Sequence, residues 1–313
     1  MNLKMEYWNG QIINPENFRG PNYYISPFST DSLIEIDEIL KGGNAVETDL
    51  LDKTFGQHEY TLTGKHAIYK ALSFYDLKQE DEVYIVTALK NSYVSSCVTK
   101  EIEKFCKWSR TLTNNTKLIF IIHDFGKVSD EIEQLLDLKL PIVEDLAMSM
   151  FSDNHDAKIG KYGDFAIYSL PKFFPIQFGG ILRYNSDKFL YDNDSSKQPY
   201  EENLQKLANH FLSLKDASVK KRMENFQYYS EKLSAIGLQT RLSLSNFEVP
   251  SVFMFSSESI NLDELKIFMQ RNGIESGKFY GENSFFLPIH QNLKTFDLDF
   301  IINLIKYFIS ENK

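Results

Sequence analysis

Apolar residues first fall at helical spacing at Leu33, Ile34, Ile36, Ile39 and Leu40, after the N-cap signal Ser29-Thr30-Asp31 and before the stop at Gly42-Gly43. From Tyr60 the period changes. A strand (YTLT, Tyr60 to Thr63), a helix from Lys65 to Leu77 and a strand from Val83 to Thr87 are expected in turn. Helical signals return from Ser95 to Trp108, and the continuous apolar run KLIFIIH, Lys117 to His123, reads as a buried strand. Ser129 caps a further helix, and three more strands follow in LPIVED (Leu140 to Asp145), DFAIYSL and GGILRY. Strands alternating with helices predict βαβ units and a mostly parallel sheet covered by helices on both faces.

The pattern breaks at Tyr191 to Glu202, YDNDSSKQPYEE, a polar and proline-containing stretch that reads as a linker. Beyond it a long charged helix runs through Lys220 to Ile236. Strands near Gln239 to Arg241 and Val249 to Phe255, a helix from Leu262 to Asn272 and a last helix from Leu298 to Ser310 complete a smaller α+β unit. The expected organisation is a large domain over residues 1–190 and a small C-terminal domain over 191–313.

Composition narrows the function classes. A net charge of -9 offers no basic field for a phosphate backbone, so nucleic acid is not an expected partner. Cys97 and Cys106 are too few for a disulfide framework or a zinc site and suit a reducing cytoplasm. The start MNLKMEYWNG lacks the apolar core of a signal peptide, and no run is long enough to span a bilayer, so a cytoplasmic protein is expected. His66 and His123 have no second ligand at helical or hairpin spacing, so no metal is expected.

Parallel α/β sheets bind ligands at the carboxyl ends of their strands. Those ends here carry Thr63-Gly64-Lys65-His66, Tyr93, His123-Asp124, Glu144-Asp145, and Ser169 with Lys172. A glycine-led helix start is an anion cradle, an aromatic ring offers a stacking face, an aspartate holds a proton on a ring nitrogen, and a buried lysine forms a Schiff base. Together these are the parts of a pyridoxal phosphate site. Each part also has a plainer reading: Lys172 as a solvated loop lysine beside Phe173-Phe174-Pro175, Asp145 as a strand-end cap, Tyr93 as packing, Gly64 as a turn.

The ordered set resembles the DegT/DnrJ/EryC1/StrS family of fold type I pyridoxal-phosphate sugar aminotransferases. TGKHAIYKAL stands for that family's Gly-Thr-Ala-Ala-Leu phosphate loop, DEVYIVTALKNSYVSS for its strand and stacking aromatic, HDFG for its His-x-Tyr-Gly, and PIVEDLAMS for its Glu-Asp-Ala-Ala-Gln. KIGKYGDFAIYSL, the run from Lys172 to Gly180, and the later GIESGKFYG and FLPIH continue the match. The resemblance implies the fold type I architecture and pyridoxal 5'-phosphate as cofactor. It makes Lys172 the internal-aldimine lysine and proton-moving base, with Asp145 paired to the pyridinium nitrogen. Tyr93 would stack on the ring, while Gly64, the amides of Lys65 and His66, and the Ser169 hydroxyl would hold the phosphate. It implies a homodimer that takes an amino group from L-glutamate and gives it to a nucleotide-linked keto-sugar, in polysaccharide or natural-product sugar biosynthesis.

The chain departs from the family pattern in several places. Met148 replaces a residue able to hydrogen-bond the cofactor's phenolic oxygen, Lys65-His66 replace small hydroxyl residues, and Gln177-Phe178 replace Gly-Glu before Gly179-Gly180. The Ser169-to-Lys172 spacing is shorter than usual for the family, and no Gly-x-Asn-x-Arg segment is found between Asp192 and Asp216. Met148 and the missing segment motivate one rival, a non-catalytic protein of the same fold with a binding or regulatory role. A dinucleotide-binding oxidoreductase is a distant third, because TLTGKHAI is not a Gly-x-Gly-x-x-Gly turn.

Overall fold

The computed structural model describes residues 6–8, 11–13, 22–42, 49–189, 198 and 200–312. The first elements are β1 (Glu6–Trp8), β2 (Gln11–Ile13), α1 (Ser32–Leu40), α2 (Leu50–Phe55), β3 (His58–Thr61), α3 (Gly64–Ser73), β4 (Glu82–Thr87) and α4 (Ser96–Ile102). Next come β5 (Lys107–Ser109), β6 (Thr116–Ile122), α5 (Ile132–Leu136), β7 (Ile142–Asp145), β8 (Phe165–Ser169), a 3-10 turn (Leu170–Lys172) and β9 (Gly180–Tyr184). The remainder holds α6 (Glu201–Ser213), α7 (Lys215–Ser234), β10 (Val252–Ser256), α8 (Leu262–Arg271), β11 (Gly277–Phe279), β12 (Ser284–Pro288) and α9 (Thr295–Glu311).

Seven strands form one sheet in the order β3-β9-β8-β7-β6-β4-β5. The five from β8 to β5 run parallel, while β9 and β3 are antiparallel additions at one edge. The apolar run on β6 explains its central place. Leu118, Ile119, Phe120 and Ile121 have no exposed surface; Ile119 and Ile121 join the apolar cluster on one face, and Leu118 and Phe120 the cluster on the other. That is the period of two a strand imposes, with a helix layer on each side. On α3, Ala67, Ile68, Ala71 and Leu72 form the buried stripe, and the two alanines let the helix lie close to the sheet. Each large side chain buried in this way contributes roughly 1.5–3 kcal/mol.

A second, three-stranded antiparallel sheet, β10-β12-β11, packs with α7, α8 and α9 around Phe253, Phe255, Phe285, Phe268 and Ile301. None of the helices among the described residues is long and apolar enough to cross a membrane.

Four local expectations are corrected. The helix expected to reach Trp108 stops at Ile102, and Lys107–Ser109 becomes the edge strand β5, where Trp108 pairs with Val83 in the parallel ladder. Helix α3 ends at Ser73 because the next aromatics turn onto the sheet face, Phe74 stacking on Phe165 and Tyr75 meeting it edge-on. Gln239 to Arg241 makes a single bridge, Thr240 with Phe255, and no strand. Strands β11 and β12 stand where only a motif echo was expected. Most of the expected linker, namely residues 191–197 and 199, lies outside the described residues, as does part of the stretch where the Gly-x-Asn-x-Arg segment was sought.

Candidate active site

The carboxyl ends of the parallel strands open into a cavity of about 510 Å³, closed on its far side by residues of β11 and β12. That is within the usual range of small-molecule sites, about 300–1,000 Å³. Gly64, Lys65, Tyr93, Asp145, Ser169 and Lys172 all line it. His66 does not.

The α3 end of the cavity follows from one capping residue. Thr63 is extended, and its Oγ1 accepts the His66 amide at 3.2 Å, which starts the helix. The first amides of a helix have no carbonyl one turn before them. The His66 amide is thus held by the Thr63 cap, and His66 is not among the residues at the cavity wall, where Gly64 and Lys65 stand. No acidic residue occupies this first turn, so nothing in it competes with an anion for the helix field. Gly64 and Ser169 are nearly in contact, since a Cβ on Gly64 would sit 3.1 Å from the Ser169 Cβ. Gly180, paired with both Thr61 and Ser169 in the sheet, also has no room for a side chain: its Cβ would fall 2.6 Å from Thr61 Oγ1 and 2.9 Å from the Gly64 nitrogen.

Strand β7 delivers Asp145 to the cavity floor. Its Oδ1 accepts the Ala147 amide at 2.8 Å, and burial pushes the carboxyl up to about 6, opposed by that amide and by the field of His123. Asp124 lies at the end of β6, accepts the Leu89 amide at 3.2 Å and lines the same cavity; burial pushes it up to about 7. His123 itself is structural. Its Nδ1 accepts the Ser129 amide at 3.2 Å, so its proton sits on Nε2, 3.4 Å from Glu144 Oε2.

Lys172 closes the 3-10 turn directly after β8 and is partly exposed to the cavity. Tyr93 stands across the cavity wall, its amide held by Asn91 Oδ1 at 2.7 Å and its ring edge-on to Phe279. The sequence reading missed the wall that the small sheet supplies: Ser276, Lys278, Phe279 and Tyr280, with Lys266 from α8. No spacing rule reports a wall assembled from residues so far along the chain. Asp124 was named at a strand end but given no role, although its strand-end position was the signal that could have found it.

Residues 104–188 match the model of the DegT/DnrJ/EryC1/StrS aminotransferase family. The match spans Asp145, Ser169 and Lys172, while Gly64, Lys65, His66 and Tyr93 lie before it. No curated protein matches the chain. Among solved structures, the aminotransferase TlmJ from Streptoalloteichus hindustanus aligns with a TM-score of 0.75 at 15% identity, over 94% of this chain and 100% of that one. Spr1654 from Streptococcus pneumoniae, described as a sugar aminotransferase, aligns in its PLP-form with a TM-score of 0.69 at 15% identity, over 95% of this chain and 99% of that one. A DegT/DnrJ/EryC1/StrS aminotransferase from Brucella abortus gives 0.67 at 15%, over 88% and 94%.

At these identities the neighbours show the fold, the mostly parallel sheet of the pyridoxal-phosphate aminotransferases. Together with the family match they support a PLP-dependent aminotransferase with pyridoxal phosphate as its cofactor. The donor set suits that group: a helix start for a phosphate, a buried carboxyl that a protonated ring nitrogen would restore to its charged form, and a lysine on the same cavity. Met148 also lines the cavity and brings a thioether where a hydrogen-bond donor was sought.

Proposed function

We propose that this protein moves an amino group from L-glutamate to a nucleotide-linked keto-sugar, with Lys172 as the cofactor-bearing lysine. The observation that carries the reading is the convergence of Lys172, Asp145, Ser169 and the α3 start on one cavity. Pyridoxal phosphate, when bound, supplies the electron sink that stabilises negative charge beside the reacting amino group. Gly64 and Lys65 hold the phosphate with their amides, and Ser169 adds its hydroxyl. Asp145 would keep a proton on the ring nitrogen, Tyr93 would offer a stacking face, and the Lys172 amine would serve as the base that takes up and returns the migrating proton.

The charges around the cavity support acidic substrates. Lys65, Lys266 and Lys278 line it in addition to Lys172, set against Asp124, Asp145 and Glu275, and Lys278 is paired with Asp263 at 2.9 Å; the lysines at the wall are the partners we assign to a dicarboxylate donor and to the phosphates of a nucleotide. The division into domains over 1–190 and 191–313, and a homodimer, belong to the same proposal; the two separate sheets support two units, although Leu204, Leu207 and Phe211 of α6 pack into the large-sheet cluster and place that helix with the first unit.

The test is the visible spectrum of the purified protein with pyridoxal phosphate, before and after L-glutamate, for wild type and Lys172→Ala. A band that needs Lys172 and is discharged by glutamate is expected. A band that glutamate leaves unchanged would favour another donor or the non-catalytic rival, which Met148 motivates.

A further inference from the structure

The turn that carries Lys172 is held from outside its own sheet. Within the turn, the Phe173 and Phe174 amides both donate to Leu170 O, at 3.0 and 2.8 Å, and the chain then leaves the helical path. The next three carbonyls therefore lie past the last helical donor, where a partner must come from elsewhere. All three receive side chains of distant segments. Ser26 Oγ donates to Pro171 O at 2.6 Å, Arg222 Nη2 to Lys172 O at 3.0 Å, and Gln291 Nε2 to Phe173 O at 2.8 Å. Arg222 Nε also donates to Gln291 Oε1 at 3.0 Å, so the two side chains brace each other.

Arg222 is an expensive way to pack. Its side chain on α7 is fully buried, its guanidinium lies 4.7 Å from the Phe173 ring centre, and no acidic group among the described residues makes a salt bridge with it. Its Nη1 has no partner there either. Desolvating a guanidinium without a carboxylate costs several kcal/mol, and an apolar side chain of similar volume would fill the same space at less cost. What an apolar side chain lacks is the planar fork that reaches a carbonyl and a carboxamide at once.

We propose that Arg222, with Gln291, is a positioning residue that fixes the main chain at Lys172 and thereby couples the seating of the small-sheet unit to the reactivity of that lysine. This rests on Lys172 being the cofactor-bearing lysine.

Asn225 supplies the control. It lies nearly one turn further along α7, and its Nδ2 donates to Ile289 O and His290 O at 3.2 and 3.1 Å, gripping the same loop without touching the lysine turn. The experiment incubates the full chain with pyridoxal phosphate, traps it with borohydride at timed intervals, and maps the label to peptides; thermal unfolding is measured in parallel. Gln291→Leu is the main variant because Gln291 is only partly buried, with Arg222→Lys as the second, keeping the charge without the fork. A misplacement on the ångström scale can cost about 100-fold in rate, so both should slow labelling at Lys172 by about tenfold or more. Asn225→Ala should unfold at a lower temperature yet label Lys172 within about twofold of wild type, because it leaves the near-attack geometry intact. Gln291→Leu labelling at the wild-type rate, or Asn225→Ala slowing labelling as much as Gln291→Leu, overturns the positioning role while Lys172 keeps its assignment. Wild-type label on another lysine overturns both.

Discussion

Glu144 and Asp145 are consecutive residues of β7, both enclosed by protein, and they meet opposite surroundings. Strand alternation sends their side chains to opposite faces. Glu144 accepts the amides of Gly160, Tyr162 and Gly163 at 2.9, 2.8 and 3.0 Å and faces His123 Nε2. Its carboxyl pins the loop between β7 and β8. Among the described residues Asp145 accepts only the Ala147 amide; it faces the cavity, and burial pushes it up to about 6. Two carboxyls one residue apart thus divide into loop anchor and cavity wall, and the division follows from how many donors each has been given.

The largest effect expected from breaking this contrast is at Glu144. Glu144→Ala leaves three backbone amides, those of Gly160 and Gly163 buried, without this acceptor and should cost about 3–5 kcal/mol, by analogy with removing one member of a buried charged network. Urea unfolding of the cofactor-free protein measures it; a loss below about 1 kcal/mol, the net worth of a single hydrogen bond, would mean that the loop is held by other contacts.

Asp145→Asn should move stability the other way. The folded carboxyl, at about 6, stands above its ordinary 3.8, so the folded state binds a proton more readily than the unfolded chain. The stability this contributes is complete below about 4 and is lost as the pH rises through 6. At pH 7.5 the cofactor-free wild type therefore carries a penalty of up to about 3 kcal/mol that the amide does not. Asparagine also keeps an oxygen for the Ala147 amide. The variant should be more stable than wild type at pH 7.5 and level with it at pH 4, while turnover falls about 100-fold or more through loss of an ionised group aimed at the reacting system. Unfolding at the two pH values, with a glutamate half-reaction on the same samples, checks both halves. Equal stability at both pH values would sink the assignment of strain to this carboxyl.

Much of the scaffold was legible because it is periodic. The apolar run of β6 and the alternating strands and helices around it announce a sheet covered on both faces, and the strand-end rule gathers Asp145, Ser169 and Lys172 without any knowledge of the loops between them. What escaped depends on competition or on distance. The sequence reading named the His66 amide without the Thr63 cap that holds it, because a threonine at an N-cap takes the amide three residues on. Trp108 was assigned to a helix because short apolar runs do not separate helix from edge strand. The wall of Lys278, Phe279 and Tyr280 and the bracing of Lys172 by Arg222 join residues far apart in the chain, and only the folded arrangement brings them together.

The smallest effect separates a site residue that is also scaffold from one that is not. Tyr93 lines the cavity with 40% of its surface exposed, and the loop beneath it is held without its ring: Asn91 Oδ1 accepts the Tyr93 amide, while Arg110 Nη2 donates to both Asn91 O and Thr87 Oγ1 at 2.8 Å. Tyr93→Ala should therefore leave unfolding unchanged within about 0.5 kcal/mol, as exposed substitutions do. It should also weaken pyridoxal phosphate binding by about three- to tenfold, the worth of one aromatic face at roughly 0.5–1.5 kcal/mol. A fluorescence titration of the cofactor gives the affinity. If stability falls with affinity, the ring is holding the loop through Phe279 and Tyr280, which lie 6.2 and 5.7 Å away, and Tyr93 belongs with Glu144 rather than Asp145. If affinity falls alone, the cavity wall is preset by Asn91 and Arg110, and the ring serves the ligand.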